Sequence, residues 1–337
     1  MKLLVTGGAG FIGSHFIRHM MSRRDIELIL NLDKLTYAGH LDNLREFSKN
    51  KRYRFIRGDI ANASLVERLV KGMDAIINFA AETHVDRSIQ DAAPFLTTNV
   101  IGTQVLLEAV RKAKTPKFLQ ISTDEVYGDV LKGASLETDS LEPSSPYSAS
   151  KAAADHLVLA YRRTFGVPVL ITRAANNYGP YQYPEKFLPL FITHALLGQP
   201  LPLYGDGLNV RDWLHVSDHC TGIERVLRRG RLGEIYNIGT GKGTTNLAVV
   251  KTLLKRLGKP ESLIRLVKDR PGHDRRYAMS IQKMHRELGW RPTVDFRQGL
   301  NDLVDWYLGH RSWWEPILRR CRVYKAYHTK QYARRMA

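Results

Sequence analysis

An α/β architecture, a doubly wound parallel sheet followed by a smaller, loop-rich C-terminal lobe, is predicted by three observations on this 337-residue chain. Short apolar runs alternate with helix-length amphipathic segments through its first half, the pattern of a parallel sheet covered by helices. A glycine-rich turn separates the first such run from the first such helix. After about Arg173 the alternation loosens and Pro, Tyr and Gly thicken, in Tyr178-Gly179-Pro180-Tyr181, Gly198-Gln199-Pro200 and Tyr204-Gly205-Asp206-Gly207, which marks a region built more from loops.

Leu3 to Thr6 is the first strand, because an apolar run that meets glycine so soon is too short for a helix. Ile12 to Ser22 follows as a helix, then strands at Leu28 to Leu32 and Tyr53 to Arg57, a helix at Ser64 to Lys71 and a strand at Ala75 to Phe79. The helix Asn99 to Ala113 leads into the strand Phe118 to Ser122, and the helix Ser150 to Phe165 into the strand Val169 to Thr172. Glu234 to Ile238 reads as a return to the sheet. The expected organisation is a first unit over 1–172, completed by chain near 208–240, a second lobe over 173–310 and a basic, aromatic tail over 311–337. No segment repeats at the spacing of a solenoid or propeller.

Composition narrows the function. The length suits about two domains, and 43% apolar residues supply large cores. No uncharged apolar run reaches the length of a membrane span, and Lys2 to Thr6 meets glycine before a signal-peptide core can form. Cys220 and Cys321 lie too far apart for a disulfide framework or a cysteine-based zinc site, so a reducing cytoplasm is expected. Lys and Arg number 51 against 33 Asp and Glu, and the +18 balance fits nucleic acid, an acidic membrane or an anionic substrate. Of that charge, +7 lies in the last 27 residues, where Arg311, Arg319, Arg320, Arg322, Lys325, Lys330, Arg334 and Arg335 face one acid, Glu315. Trp313, Trp314, Tyr324, Tyr327 and Tyr332 interleave them, which suits nucleic acid or acidic lipid. The favoured expectation is plainer, a terminal helix that docks by its aromatics and leaves its arginines in water.

Thr6-Gly7-Gly8-Ala9-Gly10-Phe11-Ile12-Gly13 sets glycines at 7, 10 and 13 between the first strand and the first helix. Gly7 permits the tight turn, Gly10 lets backbone amides approach a pyrophosphate, and Gly13 lets the helix lie close on the strand, with Phe11 and Ile12 in the same cradle. In this context the triplet is a Rossmann-type dinucleotide fingerprint. Asp33, ending the second strand, can accept both ribose hydroxyls of NAD and would repel a 2′-phosphate, although Lys34 beside it pulls the other way. Asp59 and Ile60, after the third strand, are placed for the adenine edge. The expected cofactor is therefore NAD.

Tyr147 and Lys151 stand four residues apart, one helical turn from each other. A phenol with a usual pKa of about 10 is a poor base at neutral pH, but a neighbouring ammonium and the positive nicotinamide both favour the phenolate. Ser122-Thr123-Asp124-Glu125 follows a strand at the carboxyl edge of the sheet, where open α/β sheets bind ligands.

With these residues in this order the chain resembles the extended short-chain dehydrogenase/reductase superfamily and, within it, the dTDP-glucose 4,6-dehydratases. The resemblance covers residues 1 to about 308 and is carried by Thr6 to Ser14, 33–39, 80–88, Ser122 to Gly128, Pro143 to Lys151, Asn176 to Pro180 with Pro184-Glu185-Lys186, Arg211-Asp212-Trp213 and 269–277. It implies oxidation of a nucleotide-bound hexose at C4, loss of water across C5 and C6, and return of hydrogen to C6. By that resemblance Tyr147, supported by Lys151, takes the C4 hydroxyl proton, Thr123 bonds the same oxygen, Glu125 takes the C5 proton and Asp124 protonates the departing C6 hydroxyl. It also implies Ala80, Ala81 and Asn99 beside the cofactor; Thr83, Glu185 and Lys186 at the hexose; Leu203 or Tyr204 at the base; and Asn177, Arg211, Asn246, Arg275 and Tyr277 around the diphosphate. In relatives the 99–113 and 150–165 helices join two subunits as a homodimer. The chain departs from the pattern at Thr83 and at Ala174-Ala175, which leaves thymidine or uridine open. The rival readings are a 4-epimerase or UDP-glucuronate decarboxylase, against which Asp124-Glu125 argues, and more distantly a protein that senses NAD and binds nucleic acid through its tail. His215 and His219 share a helical face, but no third ligand accompanies them and no metal is expected.

Overall fold

The sheet forms where side chains on both faces of a strand can be buried. The structure, a computed structural model, describes residues 1–328 and 331. Among them the strands run β1 (Lys2–Thr6), β2 (Leu28–Asp33), β3 (Tyr53–Arg57), β4 (Ala75–Asn78), β5 (Phe118–Thr123) and β6 (Val169–Ala174). There follow β7 (Asn176–Tyr178), β8 (Leu201–Tyr204), β9 (Val210–His215), β10 (Ile235–Ile238), β11 (Gly243–Thr245) and β12 (Ile264–Val267). Seven form one parallel sheet in the order β10-β6-β5-β4-β1-β2-β3. Each of the seven expected strands is present within two residues of its expected ends.

Alternation within a strand divides the apolar side chains between two faces. Leu3 and Val5 pack with Phe16, Ile17 and Met20 of the Phe11–Met21 helix and with Ile223 and Val226 of the Val216–Arg229 helix. Leu4 between them points into the opposite core, with Leu106, Val110 and Val158. Strands covered on both sides read as unbroken apolar runs, which is why they stand out in the sequence. The chain leaves the sheet after β6, lays down β7, β8 and β9, and returns through the Val216–Arg229 helix to β10; β11 and β12 then complete a three-stranded sheet β11-β9-β7 and a pair β12-β8. A third core, including Tyr178, Phe191, Trp213, Leu253 and Leu300, holds this second region together.

Two helices differ from expectation at their starts. The expected helix at Asn99 begins as a π-helical turn, Leu96–Gly102, before Thr103–Ala113 becomes α-helical. The expected helix at Ser150 begins at Pro146, because Ser145 caps it: Ser145 Oγ accepts from Ser148 N (3.1 Å) and Ser148 Oγ from Ser145 N (3.0 Å). This reciprocal box, with proline at the first helical position, brings Tyr147 into the first turn.

In the tail, the helices Arg311–Arg320 and Arg322–His328 bury Trp314, Ile317, Tyr324 and Tyr327, and the Arg311 and Arg319 side chains are 48% and 70% exposed. Lys330, Tyr332, Arg334 and Arg335 lie outside the described residues. No described helix is long and apolar enough to cross a membrane.

Candidate active site

The strand order reverses between β1 and β4, and the cleft opens at the carboxyl ends of the strands beside that reversal. Gly7 has φ +68°, and a Cβ there would meet Ala80 N at 2.6 Å. A Cβ on Gly13 would meet Gly7 O at 2.4 Å, so the helix can sit this close to the turn only without a side chain. Gly10 caps the helix with no side-chain bond, which leaves the first-turn amides of Phe11 and Ile12 facing the cleft. Asp33 accepts from Ala9 N (2.9 Å) and Leu35 N (2.8 Å), which fixes its carboxylate at the cleft wall. Lys34 pairs with Asp59 at 2.6 Å, so the charge that argued for a 2′-phosphate is already answered. Ile60, Ala80 and Ala81 complete a wall of the shape and chemistry that NAD requires.

Thr123, Asp124, Glu125, Tyr147 and Lys151 line the same cleft. Thr123 caps the short helical turn Asp124–Tyr127, its Oγ1 accepting from Glu125 N at 3.3 Å. Ser88 Oγ accepts from Tyr147 N at 3.1 Å. Burial and the Glu125 charge push the Tyr147 phenol well above its ordinary value, against the pull of the Thr123 hydroxyl. The expected Tyr147–Lys151 partnership takes a different form: Lys151 Nζ donates to Ile121 O at 2.6 Å. Burial lowers the Lys151 ammonium to about 8, and Asp155, one turn further along, holds it up. Asp155 in turn pairs with buried Arg173 (2.9 Å), a support that spacing alone did not single out.

The two adjoining acids differ. Burial raises Asp124 well above the carboxylate range, Glu125 and Asp212 add to the shift, and its Oδ2 is buried without a hydrogen bond. Burial also raises Glu125, but the charges of Arg270, Arg211 and Lys186 oppose it. Burial thus favours the neutral form of both carboxyls, while three cations oppose it at Glu125, and such unlike surroundings suit opposed proton transfers.

A second cleft meets the first at Thr83, Glu125, Asn177 and Lys186. Lys186 Nζ donates to Thr83 O (3.1 Å) and Thr83 Oγ1 (3.2 Å), so the threonine that departs from the family pattern keeps a working hydroxyl. Glu185, Leu203, Tyr204, Arg211, Asn246 and Tyr277 line this cleft, and Asn246 Oδ1 is buried without a hydrogen bond. Arg211 donates to the carbonyls of Val210 (2.8 Å) and Asp274 (2.9 Å) and lies 4.0 Å over the Tyr277 ring. It forms no ion pair among the described residues, and burial and Arg270 hold it below the usual guanidinium range. Two buried guanidiniums that repel each other form a site for an anion.

Two expected residues stand elsewhere. Arg275 is 44% exposed and pairs with Asp206 (2.7 Å) on the surface, away from the cleft; Arg270, its side chain 13% exposed and 3.9 Å from Asp86, is the guanidinium that faces it. Asn99 is buried behind the cofactor cleft, where it donates to Glu82 O (3.0 Å) and Ser150 Oγ (2.8 Å) and accepts from Glu82 N (2.9 Å). Its bonds hold the wall and are spent before any ligand arrives. Sequence reasoning also missed His273, which lines the second cleft, and Gln182, whose Nε2 donates to Asn177 O at 2.9 Å. His219, one of the paired histidines, meets Asn177 Oδ1 at 2.9 Å, and burial lowers it to about 3. No cluster of metal-ligating side chains occurs among the described residues.

Redox chemistry at a sheet edge, coupled to proton transfer by two unlike acids beside an anion site, is the work of short-chain dehydrogenase/reductases that modify nucleotide sugars, and this is the class that fold and site define. The profile described as GDP-mannose 4,6 dehydratase matches residues 4–303. The chain belongs to that family, on its dTDP-glucose 4,6-dehydratase branch. It is 51% identical over 319 residues to the dTDP-glucose 4,6-dehydratase of an Actinoplanes species, covering 93% of this chain and 100% of the relative. It is 52% identical over 309 residues to the low-salt glycan biosynthesis protein Agl12 of Haloferax volcanii, covering 92% and 99%. Its fold superimposes with a TM-score of 0.93 on DesIV, the dTDP-glucose 4,6-dehydratase of Streptomyces venezuelae with NAD and dTDP bound, at 52% identity over 94% of this chain and 100% of that one. The UDP-glucuronic acid 4-epimerase of Bacillus cereus, with UDP-glucuronic acid and NAD, matches at 0.87 and 32% identity, covering 92% and 99%.

Proposed function

We propose that this protein is an NAD-dependent dTDP-glucose 4,6-dehydratase that releases water and a 4-keto-6-deoxy nucleotide sugar. The observation that carries the proposal is a pair of adjoining buried acids in unlike surroundings: burial and the Glu125 charge raise Asp124 well above the carboxylate range, while Arg270, Arg211 and Lys186 oppose the rise that burial causes at Glu125. Epimerases share the fold, but epimerisation removes no hydroxyl and needs no such acid.

Bound NAD supplies the hydride acceptor for C4 and the donor for C6. Tyr147 takes the proton of the C4 hydroxyl as that carbon is oxidised, with Thr123 bonding the same oxygen. The resulting ketone acidifies C5, so Glu125 can remove its proton, and Asp124 gives its own proton to the departing C6 hydroxyl; a proton added back at C5 balances the hydride returned to C6. Arg211 and Arg270, with Asn177 and Asn246, hold the diphosphate, and Lys186 and Glu185 flank the hexose. Residues 1–172 with the returning strand form the cofactor unit and 173–310 the substrate lobe.

We place the enzyme in the cytoplasm, a compartment that suits its two free cysteines, and infer that it acts as a homodimer. Support for the dimer comes from Leu96, Ile101 and Phe165, which are 53%, 52% and 52% exposed on or just before the helices that pair in relatives. Incubation with dTDP-glucose and UDP-glucose, followed by mass spectrometry, tests the reaction: a product lighter by one water supports it, and a hexose of unchanged mass overturns it.

A further inference from the structure

Glu185 and Asp86 line the substrate cleft, yet part of what holds them comes from beyond residue 303, where the family match ends. Arg87 gives Nε and Nη2 to Glu185 Oε2, at 3.1 and 2.8 Å. Its guanidinium lies between two rings, 4.1 Å from the centre of Tyr37 and 4.2 Å from that of Tyr327. Tyr37 follows β2 beside the cofactor cleft; Tyr327 belongs to the Arg322–His328 helix. A planar guanidinium held on both faces keeps its fork aimed in one direction, which an ammonium on a flexible stem cannot do.

The same segment reaches Asp86. The Tyr327 hydroxyl lies 3.4 Å from Asp86 Oδ2 and 3.5 Å from His84 Nδ1. Tyr204 donates to Asp86 Oδ2 (3.1 Å) and accepts from Gln331 Nε2 (2.7 Å), while Gln331 Oε1 accepts from Gln90 Nε2 (3.1 Å). Trp314 and Ile317 fill apolar cores, so packing explains them. Packing does not explain an aromatic face laid on a cation that grips an acid in the cleft.

We propose that Tyr327 is a positioning residue for the sugar nucleotide: by closing the second face of the Arg87 guanidinium it fixes the Glu185 carboxylate at the hexose end of the cleft. The assignment rests on the reading of that cleft as the nucleotide-sugar site.

Steady-state kinetics of the full-length chain test it. Tyr327→Ala raises KM for dTDP-glucose ~10-fold, the effect of a lost desolvated cation–π contact, and leaves kcat and inhibition by dTDP, which has no hexose, near wild type. Tyr327→Phe keeps the ring and keeps KM within about two-fold, the scatter of a lost weak hydrogen bond. Adding Tyr327→Ala to Arg87→Lys raises KM no further than Arg87→Lys does alone, because both break one linkage. The assignment is overturned if Tyr327→Ala keeps the wild-type KM, if dTDP binding weakens by the same factor as the substrate, or if the two substitutions multiply. Tyr327→Leu, which retains bulk but no aromatic face, gives the same comparison where the alanine variant melts early. A wild type that eliminates no water from dTDP-glucose overturns the reading of the cleft and this assignment with it; a wild type that turns over beside an unaffected Tyr327→Ala overturns this assignment alone.

Discussion

Asp124 and Glu125 are neighbours in sequence and unlike in surroundings, since burial raises both but three cations oppose the rise at Glu125, and the proposed reaction draws on that difference. Glu125→Gln keeps the shape of the side chain and removes the base, so water release should fall ~10²–10⁴-fold, read as loss of the dehydrated product by mass. Asp124→Asn should also abolish release, while raising stability. An acid whose folded pKa lies above its unfolded one takes up a proton on folding. Its destabilising cost is absent at acid pH and grows as pH rises toward the folded value. The neutral amide escapes that cost, so Asp124→Asn should melt a few degrees above wild type at pH 7.5, with the gap narrowing at pH 5. A lower melting point at both pH values would contradict the protonated assignment. Lys151 is the residue whose role shifts most between sequence and structure. Spacing put its ammonium beside the phenol, while its bond to Ile121 O ties the helix to the end of β5.

At the scale of elements, the strands were readable because burial on both faces leaves unbroken apolar runs, and the glycine turn because each glycine answers a steric demand the next element imposes. The 269–277 stretch was not readable to the residue. Arg270, Arg275 and Arg276 are equivalent as letters, and which one enters the cleft is decided by long-range contacts: Arg275 meets Asp206, Arg276 Nη1 donates to Val130 O at 2.6 Å, and Arg270 is left facing Asp86. Asn99 misled for a related reason, since an amide that bonds a ligand and one that bonds a backbone loop look the same in sequence. The distinction has kinetic consequences. Arg270→Ala should raise KM for the nucleotide sugar by ~30-fold or more, because it strips a buried charge from the diphosphate. Arg275→Ala removes an exposed ion pair and should leave KM within about two-fold.

The whole molecule brings together segments that are distant along the chain. The two joined clefts lie where β5, β6, the Pro146–Phe165 helix and the second region converge, and the last described helix reaches back to His84 and Asp86 at the start of the Val85–Gln90 helix. The sequence pattern favoured a terminal helix docked by its aromatics, as found, but no local pattern predicts which side chains of the cleft it meets. The exposed apolar side chains on the face proposed for helix pairing carry the prediction on assembly: Ile101→Glu should shift the proposed dimer toward monomer in light scattering, by burying a charge in the interface, and an unchanged mass would place the interface elsewhere.

The central claim is that hydrogen taken from C4 and returned to C6 lets two unlike acids expel a hydroxyl between them. Incubating the protein with dTDP-glucose in deuterated water and reading the product by mass and NMR tests it most directly. The account predicts loss of one water and one solvent deuterium at C5; a product that keeps its water, or one dehydrated with the original hydrogen still on C5, would contradict it.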